Sequence, residues 1–364
     1  MLNIRVLFCG GGTAGHVNPA IAVAETIMRN SSENRVAYVT TPNGIENQLV
    51  SFKKFQIDVI GLKRKLTLKN LSFIKKQLKA IEKSKQIVNE FHPDIVFGTG
   101  GYATYPVAIA AKKMGVPVVL HESNVIPGKA ILALQNKADK ILINFSESKK
   151  YFKVTEKLIH TGNPIRIGFE YCDKDKYKKM LGITEKYVIL CTGGSLGARR
   201  INKSAIELIE NFIKYRSDIL FIWSAGKNEY QNVIAEMNKR GLHGTKNVMV
   251  CEYISNMPEI MSCSDLVISR AGAMTISELA HCKKASILVP STNVTNNHQY
   301  INAKALEASN ATILITEDRL FTIVDVVKDL IDNKSRRMQL EKNIGEFSKD
   351  DANKRIYNLM LSLL

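Results

Sequence analysis

The sequence predicts an α/β protein built from two doubly wound, Rossmann-like domains that face each other across a cleft. Three observations support this prediction. The chain has 364 residues, more than a single hydrophobic core usually organises. Short apolar runs alternate with helical patterns along its length, which is typical of parallel sheets covered by helices. In each half an apolar run leads into a glycine-rich loop and then a helix, so the same arrangement occurs twice.

The composition is that of a folded protein with an anionic partner. Hydrophobic residues make up 45% of the chain and charged residues 23%. We find no signal-peptide pattern, and no apolar run reaches the roughly 18 residues that a membrane-spanning helix needs. The net charge is +17, and +12 of it falls in residues 1–165. This excess favours a membrane surface or a phosphorylated substrate; without a nucleic-acid-binding signature, we expect no nucleic-acid partner.

The cysteines and acidic pairs do not indicate a metal site. The six cysteines are scattered without a Cys-x-x-Cys pair, so we expect buried reduced thiols rather than disulfides or zinc ligands. The one Asp-x-Asp, at residues 173–175, lies in a lysine-rich helix start and is expected to be solvated surface. We therefore expect neither a metal nor a cofactor.

The first glycine loop follows a strand at residues 4–9 and precedes a helix at residues 20–29. Its glycines satisfy G-x-G-x-x-G with Gly10, Gly12 and Gly15. A dinucleotide site would also need an acidic residue at the end of the second strand. That strand, residues 35–40, ends in Thr40, and Glu46 comes only later. This argues against a nicotinamide cofactor.

A basic segment, Leu62–Lys85, comes next. Leu71, Ile74, Leu78, Ile81 and Val88 form one helical stripe, and Lys75, Lys76, Lys79 and Lys83 lie off it. One interpretation is a helix that faces the core and presents a solvated basic side. The other is a basic edge with apolar tips that rests on anionic lipid. Both hold if the loop before the helix contacts the bilayer.

The rest of the first half repeats the pattern. A strand at residues 93–97 ends in a second glycine loop, residues 98–102. Another strand, residues 117–120, brings residues 121–124 to the sheet edge where open α/β sheets bind ligands. A further strand covers residues 139–144. The Asn163-Pro164 turn divides the chain into domains at 1–163 and 164–340, followed by a terminal helix at 341–364.

The second half contains two further glycine turns. Its strands are predicted at residues 187–191, 220–224, 248–251, 265–269, 285–289 and 312–315. Loop 192–200 places backbone amides and a helix N-terminus where they can face an anion. The turn at 269–278 carries Glu278, a candidate partner for a ribose, and residues 290–303 are predicted to be a polar loop. The two turns can also be ordinary βα connections in which glycine is present for steric reasons.

Seven segments together resemble one family. Residues 10–20, 98–106, 121–124, 162–166, 192–202, 269–278 and 298–303 resemble, in order, the motifs of the MurG family of bacterial transferases. These enzymes add N-acetylglucosamine (GlcNAc) to lipid I, an undecaprenyl-pyrophosphate-linked N-acetylmuramyl (MurNAc)-peptide, and so make lipid II. The resemblance implies a GT-B fold, an inverting reaction without a metal, and a C-terminal domain that binds UDP-GlcNAc. It also implies that the terminal helix packs back toward the N-terminal domain.

The resemblance implies a donor site with residues from both halves. Arg270 and its loop would lie near the uracil, Glu278 would accept from the ribose hydroxyls, and Ser195 would hold the diphosphate. The implied UDP-GlcNAc contacts are Thr13, Ala14, Gly15, Asn124, Arg166, Gly194, Ser195, Ile254, Arg270, Ala273, Met274, Thr275, Glu278, His298 and Gln299. The sequence departs from the family's double glutamine, because His298 occupies the first position.

The reaction needs a base for the muramyl 4-hydroxyl and charge stabilisation at the departing diphosphate. His16 is the first candidate, since imidazole titrates near neutrality, although it could instead shape its loop. Glu122 is the competing base. The acceptor's pyrophosphate would lie on backbone amides of the first two glycine loops, at Gly11, Gly12, Gly100, Gly101 and Tyr102.

The hypothesis is therefore a peripheral enzyme on the cytoplasmic face of the cell membrane. It would contact anionic lipid through Leu62–Lys85, with cell-wall synthesis proteins as candidate partners. Three alternatives remain at this point. They are another GT-B transferase with a lipid acceptor such as diacylglycerol, a nicotinamide-dependent oxidoreductase, and a nucleotide-sugar binder without catalytic activity.

Overall fold

The computed structural model describes residues 3–59, 69–169, 171–294, 297–349 and 351–364, with side chains left out for residues 69–74. The chain forms two compact units. Unit 1 comprises Met1–Ile167 and Lys349–Leu364, and unit 2 comprises Gly168–Ser348. The chain thus passes between units at 167/168 and 348/349, four and eight residues after the predicted boundaries at 163/164 and 340/341.

Unit 1 contains a parallel sheet with the order β3-β2-β1-β4-β5-β6-β7 in the part that the structure describes. Its strands are β1 (Arg5–Cys9), β2 (Arg35–Thr40), β3 (Lys53–Gln56), β4 (Ile95–Gly98), β5 (Val118–Glu122), β6 (Lys140–Ile143) and β7 (Leu158–His160). Its first helices are α1 (Ala14–Asn30), α2 (Glu46–Leu49), α3 (Lys69–Phe91), α4 (Thr104–Lys113) and α5 (Lys129–Leu134). The strand order reverses between the neighbouring strands β1 and β4, so the loop that follows β1 and the loop that follows β4 begin side by side.

Unit 2 contains a second parallel sheet, with the order β10-β9-β8-β11-β12-β13 among the described residues. Its strands are β8 (Tyr187–Thr192), β9 (Ile219–Ser224), β10 (Val248–Cys251), β11 (Leu266–Ser269), β12 (Ser286–Leu288) and β13 (Ile313–Leu314). Its helices are α6 (Lys174–Met180), α7 (Arg199–Asn211), α8 (Tyr230–Lys239), α9 (Met257–Cys263), α10 (Ala273–His281), α11 (His298–Glu307), α12 (Ile323–Asp332) and α13 (Lys334–Gly345). Here the order reverses between β8 and β11.

The final helix, α14 (Ala352–Leu361), belongs to unit 1. Its Ile356 and Met360 are buried in the core that also contains Val17 of α1. The Asn353 side-chain amide donates to the carbonyl oxygen of Ile165 and to Thr26 Oγ1, both at 2.8 Å. These contacts attach the C-terminal segment to the first helix of the chain.

Buried polar pairs position the loops above the unit 2 sheet. Trp223 is fully buried on β9, and its indole Nε1 donates to Asn202 Oδ1 at 3.1 Å. The Asn202 amide in turn donates to the carbonyl oxygen of Ala225 at 2.8 Å. Because a buried polar group is costly unless it is hydrogen-bonded, this network holds the start of α7 against the loop after β9.

Several local predictions differ from the structure. Helix α1 begins at Ala14, although the Gly, Asn and Pro content of the segment predicted a loop up to residue 19. Helix α11 begins at His298, inside the predicted polar loop. The strands β3 and β7 were missed because both are short edge strands, whose sequences lack a fully apolar run.

Helix α3 agrees with the predicted stripe in part, because Val88 is buried and Ile81 packs against the core. Within its described part, residues 75–91, the buried residues are Ala80, Ser84, Ile87, Val88 and Phe91, whereas Leu78 is 62% exposed. The stripe prediction was therefore wrong at Leu78, because the helix follows contacts with the sheet and α4 rather than the longest apolar run. The stripe's Leu71 and Ile74 side chains, and residues 62–68 of the basic segment, lie outside the described residues.

The cysteine prediction was correct for four residues and wrong for two. Cys9, Cys191 and Cys263 are buried thiols and Cys251 is a half-buried thiol, but Cys172 and Cys282 form a disulfide. They are 110 residues apart, so only the tertiary fold brings them together.

As for the membrane, no helix within the described ranges is long and apolar enough to cross one.

Candidate active site

The two glycine loops of unit 1 pack on each other at the reversal point of the sheet. The Gly11 amide donates to the carbonyl oxygen of Gly100 at 3.2 Å. A Cβ atom at Gly101 would lie 2.2 Å from the Gly11 carbonyl oxygen, so only glycine fits this crossing. The structure thus brings together four glycines proposed for the acceptor pyrophosphate, Gly11, Gly12, Gly100 and Gly101, with the exposed Tyr102 next in the chain.

His16 lies on the first turn of α1, directly above these loops. Its Nδ1 atom is 2.9 Å from the carbonyl oxygen of Gly11 and 3.4 Å from Thr13 Oγ1. A carbonyl oxygen only accepts, so Nδ1 carries the proton and Nε2 is the acceptor atom of the neutral ring. The ring lies against Gly100, whose Cβ position is 3.3 Å from Nε2. Thr13, Ala14 and Gly15 complete this turn.

Glu122 lies at the end of β5 with both carboxylate oxygens engaged. Oε1 accepts from the Asn124 backbone amide at 2.9 Å and side-chain amide at 3.1 Å, and Oε2 accepts from the Gly128 amide at 2.7 Å. Burial raises the pKa of the Glu122 carboxyl, and these hydrogen bonds oppose the rise. The carboxylate thereby organises the loop that carries Asn124. Of the two proposed bases, His16 has the more suitable geometry.

Two further unit 1 residues, Arg166 and Glu46, bear on the predicted ligands. Arg166 follows β7 and is close enough to Glu25 for its charge to oppose the burial-raised pKa of that carboxyl. Glu46 is fully buried, and its Oε1 accepts from the Thr41 amide and hydroxyl at 2.9 and 2.7 Å. A carboxylate enclosed in this way does not present an acceptor to the ribose of a dinucleotide.

Unit 2 has a pocket of about 530 Å³ at the reversal point between β8 and β11. Its wall combines the glycine loop after β8, the first turn of α7 and the residues that follow β11, β12 and β13. The lining residues are Gly193, Gly194, Ser195, Leu196, Gly197, Ala198, Arg199, Arg200, Arg270, Ser291, Asn293, Gln299 and Glu317. Gly194, Ser195, Arg270 and Gln299, all predicted from the sequence, therefore share one pocket.

The loop after β8 has a shape that requires glycine. Gly197 has φ +88°, and a Cβ atom there would lie 2.3 Å from the Ala225 carbonyl oxygen. The Lys227 amide donates to the Ser195 carbonyl oxygen at 3.0 Å, which fixes the loop from the β9 side. Helix α7 then starts at Arg199 without a side-chain cap on Ala198. Its first amides are thus suited to bind an anion in the pocket.

Two side chains of the pocket are held in defined orientations. Arg270 donates to the carbonyl oxygens of Val289 and Pro290, each at 3.1 Å, and to Glu317 Oε1 at 2.6 Å. Gln299 Oε1 accepts from the Ser291 amide at 2.8 Å, so its NH₂ group is the donor side of the amide. Arg270 therefore braces the pocket wall, and Gln299 is oriented by the backbone.

Family models support the assignment of both units. The models for the glycosyltransferase family 28 N-terminal and C-terminal domains match residues 6–143 and 188–356. A relative from Caldicellulosiruptor saccharolyticus is 37% identical over 97% of this chain and 96% of its own. A second, from a Thermoanaerobacter species, is 37% identical over 99% of this chain and all of its own. The chain belongs to the MurG family, within glycosyltransferase family 28.

Both relatives bear the name UDP-N-acetylglucosamine--N-acetylmuramyl-(pentapeptide) pyrophosphoryl-undecaprenol N-acetylglucosamine transferase. The crystal structure of MurG from Acinetobacter baumannii aligns over 99% of both chains with a TM-score of 0.76 and 25% identity. A UDP-GlcNAc 2-epimerase from Neisseria meningitidis aligns with a TM-score of 0.67 at 16% identity, which shows a shared fold alone. The prediction of a glycosyltransferase with two Rossmann-like domains is thereby confirmed.

In this MurG-family chain the other proposed donor residues lie outside the lining of the unit 2 pocket. Ala273, Met274, Thr275 and Glu278 are on α10, which follows Arg270, and Glu278 is buried. Ile254 is buried after β10, and His298 begins α11. Thr13, Ala14, Gly15, Asn124 and Arg166 belong to unit 1.

Sequence reasoning missed Arg200 and Glu317, which both line the pocket. The position of Glu317 along the chain was the signal that could have identified it. Glu317 follows β13 at the carboxyl edge of a parallel sheet, where polar residues often serve a site. The acidic pair at residues 173–175 lies away from the pocket lining, and Asp173 caps α6 by accepting from the Lys176 amide at 2.9 Å.

Proposed function

We propose that this protein transfers N-acetylglucosamine from UDP-GlcNAc to the 4-hydroxyl of the N-acetylmuramyl group of lipid I. The product is lipid II, and the anomeric configuration inverts. The observation that carries the proposal is the unit 2 pocket, in which a glycine loop, an uncapped helix start and Gln299 share one wall. The full-length similarity to transferases of that name supports the choice of donor and acceptor.

The donor's diphosphate would bind to the amides around Gly194 and Ser195 and to the start of α7. Backbone amides and a helix N-terminus are fixed donors, so they stabilise the charge that develops on departing UDP without rearrangement. Arg270 and the first turn of α10, Ala273, Met274 and Thr275, would face the base and phosphate. Glu278 would accept from the ribose hydroxyls, and the Gln299 amide, with His298 beside it, would bind hydroxyls of the sugar.

The acceptor would bind in unit 1. Its pyrophosphate would lie on the crossed glycine loops, where the amides of Gly11, Gly12, Gly100 and Gly101 are near one another. His16 would then take the proton of the attacking hydroxyl at Nε2, because Nδ1 donates to the Gly11 carbonyl oxygen. Glu122 would keep Asn124 in place rather than act as the base.

The protein would work on the cytoplasmic face of the membrane as a peripheral enzyme. Leu78 is exposed on α3 next to Lys75 and Lys79, which are exposed as well. An apolar tip among cations is the combination that binds anionic lipid. The concentration of positive charge in residues 1–165 supports the same surface. Proteins of cell-wall synthesis are further candidate partners.

The deciding experiment is transfer of radiolabelled GlcNAc from UDP-GlcNAc to a short-chain lipid I analogue. UDP-glucose and a diacylglycerol acceptor serve as parallel arms. Product only with UDP-GlcNAc and lipid I supports the proposal. Product with diacylglycerol would keep the donor assignment and replace the acceptor. UDP protection against thermal unfolding without any product would indicate a nucleotide-sugar binder that is not a catalyst.

A further inference from the structure

An acidic side chain lies inside a pocket that is expected to bind an anion. Glu317 lines the unit 2 pocket, and its side chain is only 9% exposed. Its Oε1 is 2.6 Å from Arg270 Nη2, and its Oε2 is 3.2 Å from Arg200 Nε and 3.3 Å from Thr292 Oγ1. A buried carboxylate is stable only when it is paired, and here two guanidinium groups neutralise it.

The two arginines are held very differently. Arg270 is 16% exposed and bound at three points, by Glu317 and by the carbonyl oxygens of Val289 and Pro290. Arg200 is 64% exposed, and its ion pair with Glu317 is made through Nε, the nitrogen nearest the side-chain stem. Arg270 is therefore a fixed part of the wall, whereas Arg200 can change partners at little cost.

Arg200 also stands where a phosphate would need it. It lies on the first turn of α7, beside the uncapped amides and the Gly194–Ser195 loop that line the same pocket. Guanidinium binds phosphate oxygens with two parallel hydrogen bonds, which a single Nε contact with a carboxylate does not match. A nucleoside diphosphate in the pocket would thus compete with Glu317 for Arg200 and bind it more strongly than Glu317 does.

We propose that Glu317 is the resident counter-anion of Arg200, and that the diphosphate of the bound nucleotide takes Arg200 from it. When UDP leaves, Arg200 returns to Glu317. Arg200 thus has a counter-charge in the empty pocket, which favours release of UDP. Glu317 retains Arg270 throughout, which keeps the wall in place. The inference rests on the proposed function, because it assumes that the unit 2 pocket binds UDP. It makes Glu317 a positioning residue that lowers affinity for diphosphates.

The test measures binding of UDP and uridine by calorimetry to the full chain and to Glu317→Gln, Arg200→Ala and the double variant. Glutamine keeps an acceptor oxygen for Arg270, and Arg200 is mostly exposed, so the variants should fold; circular dichroism checks this. Lys203→Ala and Glu207→Gln serve as controls, because they remove charges from α7 outside the pocket lining.

The expected result is that Glu317→Gln binds UDP about tenfold more tightly and Arg200→Ala about tenfold more weakly, as one charge-assisted hydrogen bond to phosphate implies. Uridine affinity should stay unchanged in both. In the Arg200→Ala background, Glu317→Gln should not change the affinity for UDP, because the Arg200 side chain that this substitution would release is absent.

Two results would overturn the exchange while leaving the donor assignment intact. The first is unchanged or weaker UDP binding by Glu317→Gln, which would make Glu317 only a support for Arg270. The second is a gain for Glu317→Gln that persists without Arg200, which would reflect plain repulsion between carboxylate and diphosphate. If the unaltered chain binds no UDP, the donor assignment fails and the exchange fails with it.

Discussion

The Nδ1 atom of His16 lies 2.9 Å from the carbonyl oxygen of Gly11, a residue of the adjoining glycine loop. The contact determines which ring nitrogen carries the proton and places the acceptor nitrogen, Nε2, beside Gly100. A single hydrogen bond thus links the orientation of the proposed base to the loop that would bind the acceptor's pyrophosphate.

His16→Ala should therefore lower kcat about 10²- to 10⁴-fold, the usual contribution of a general base. UDP affinity should change little, because the proposed diphosphate site is in unit 2. Steady-state transfer assays and calorimetry measure the two quantities, and His243→Ala, an exposed histidine of unit 2, is the control. A collapse of donor affinity in His16→Ala would show that the residue shapes its loop instead.

Glu278→Ala should weaken UDP binding by about 1.5–3 kcal/mol, the value of a hydrogen bond to a charged group. Glu278→Gln keeps the shape and one acceptor and should lose less. Affinity for UDP compared with that for 2′,3′-dideoxy-UDP tests the hydroxyl contact directly. If Glu278→Ala binds UDP as the parent does, the ribose site lies elsewhere.

Gly197→Ala should destabilise unit 2 and abolish UDP binding. The new methyl would lie 2.3 Å from the Ala225 carbonyl oxygen at a backbone φ of +88°. Gly182→Ala is the matched control, because φ is +67° there and no atom lies within 4 Å of the added Cβ. In both variants an alanine in the left-handed backbone region should lower the free energy of unfolding by about 1 kcal/mol or more. In Gly197→Ala the clash should lower it by about 2 kcal/mol beyond that. Equal urea midpoints for the two variants would contradict the clash.

Unit 1 should lose stability as the pH falls below 6.5. Burial lowers the pKa of His121 from 6.5 to about 4, and the Gly162 carbonyl opposes the shift. Above pH 6.5 the ring is neutral in both states; below it, only the unfolded chain takes up the proton. The free energy of unfolding should thus drop by about 2 kcal/mol between pH 7 and pH 5. Urea unfolding of His121→Gln should lack this part of the pH dependence, and an unchanged slope would refute the assignment.

Leu78→Gln combined with Lys79→Gln should weaken sedimentation with anionic vesicles, since each basic residue near such a surface contributes about 1 kcal/mol. Lys214→Gln with Tyr215→Gln removes a similar exposed pair from unit 2 and should have no effect. Replacing Lys63, Arg64 and Lys65 by glutamate tests the preceding loop in the same assay. Retention of vesicle binding by both sets would place the membrane surface elsewhere.

Sequence patterns predicted the elements whose signal is local. The central strands are unbroken apolar runs, so β1, β2, β4 and β8 were recognised, as were the glycine turns at Gly10–Gly12 and Gly193–Gly197. Elements whose burial depends on distant neighbours were not. The edge strands β3 and β7 lack an apolar run, and Leu78 is exposed because α3 buries Ala80 and Ser84 instead.

The sequence by itself determined the α/β class, the two halves, the glycine loops and the family, because periodicity and ordered motifs are properties of neighbouring residues. Only the tertiary structure decided which distant groups meet. It brought Cys172 and Cys282 together in a disulfide, and it placed the proton of His16 on Nδ1, which donates to the Gly11 carbonyl oxygen. It engaged both carboxylate oxygens of Glu122 in hydrogen bonds. It also paired Glu317 with Arg200 and Arg270. The physical reason is that hydrogen bonds and ion pairs depend on ångström distances between segments far apart in the chain, which spacing along the sequence does not encode.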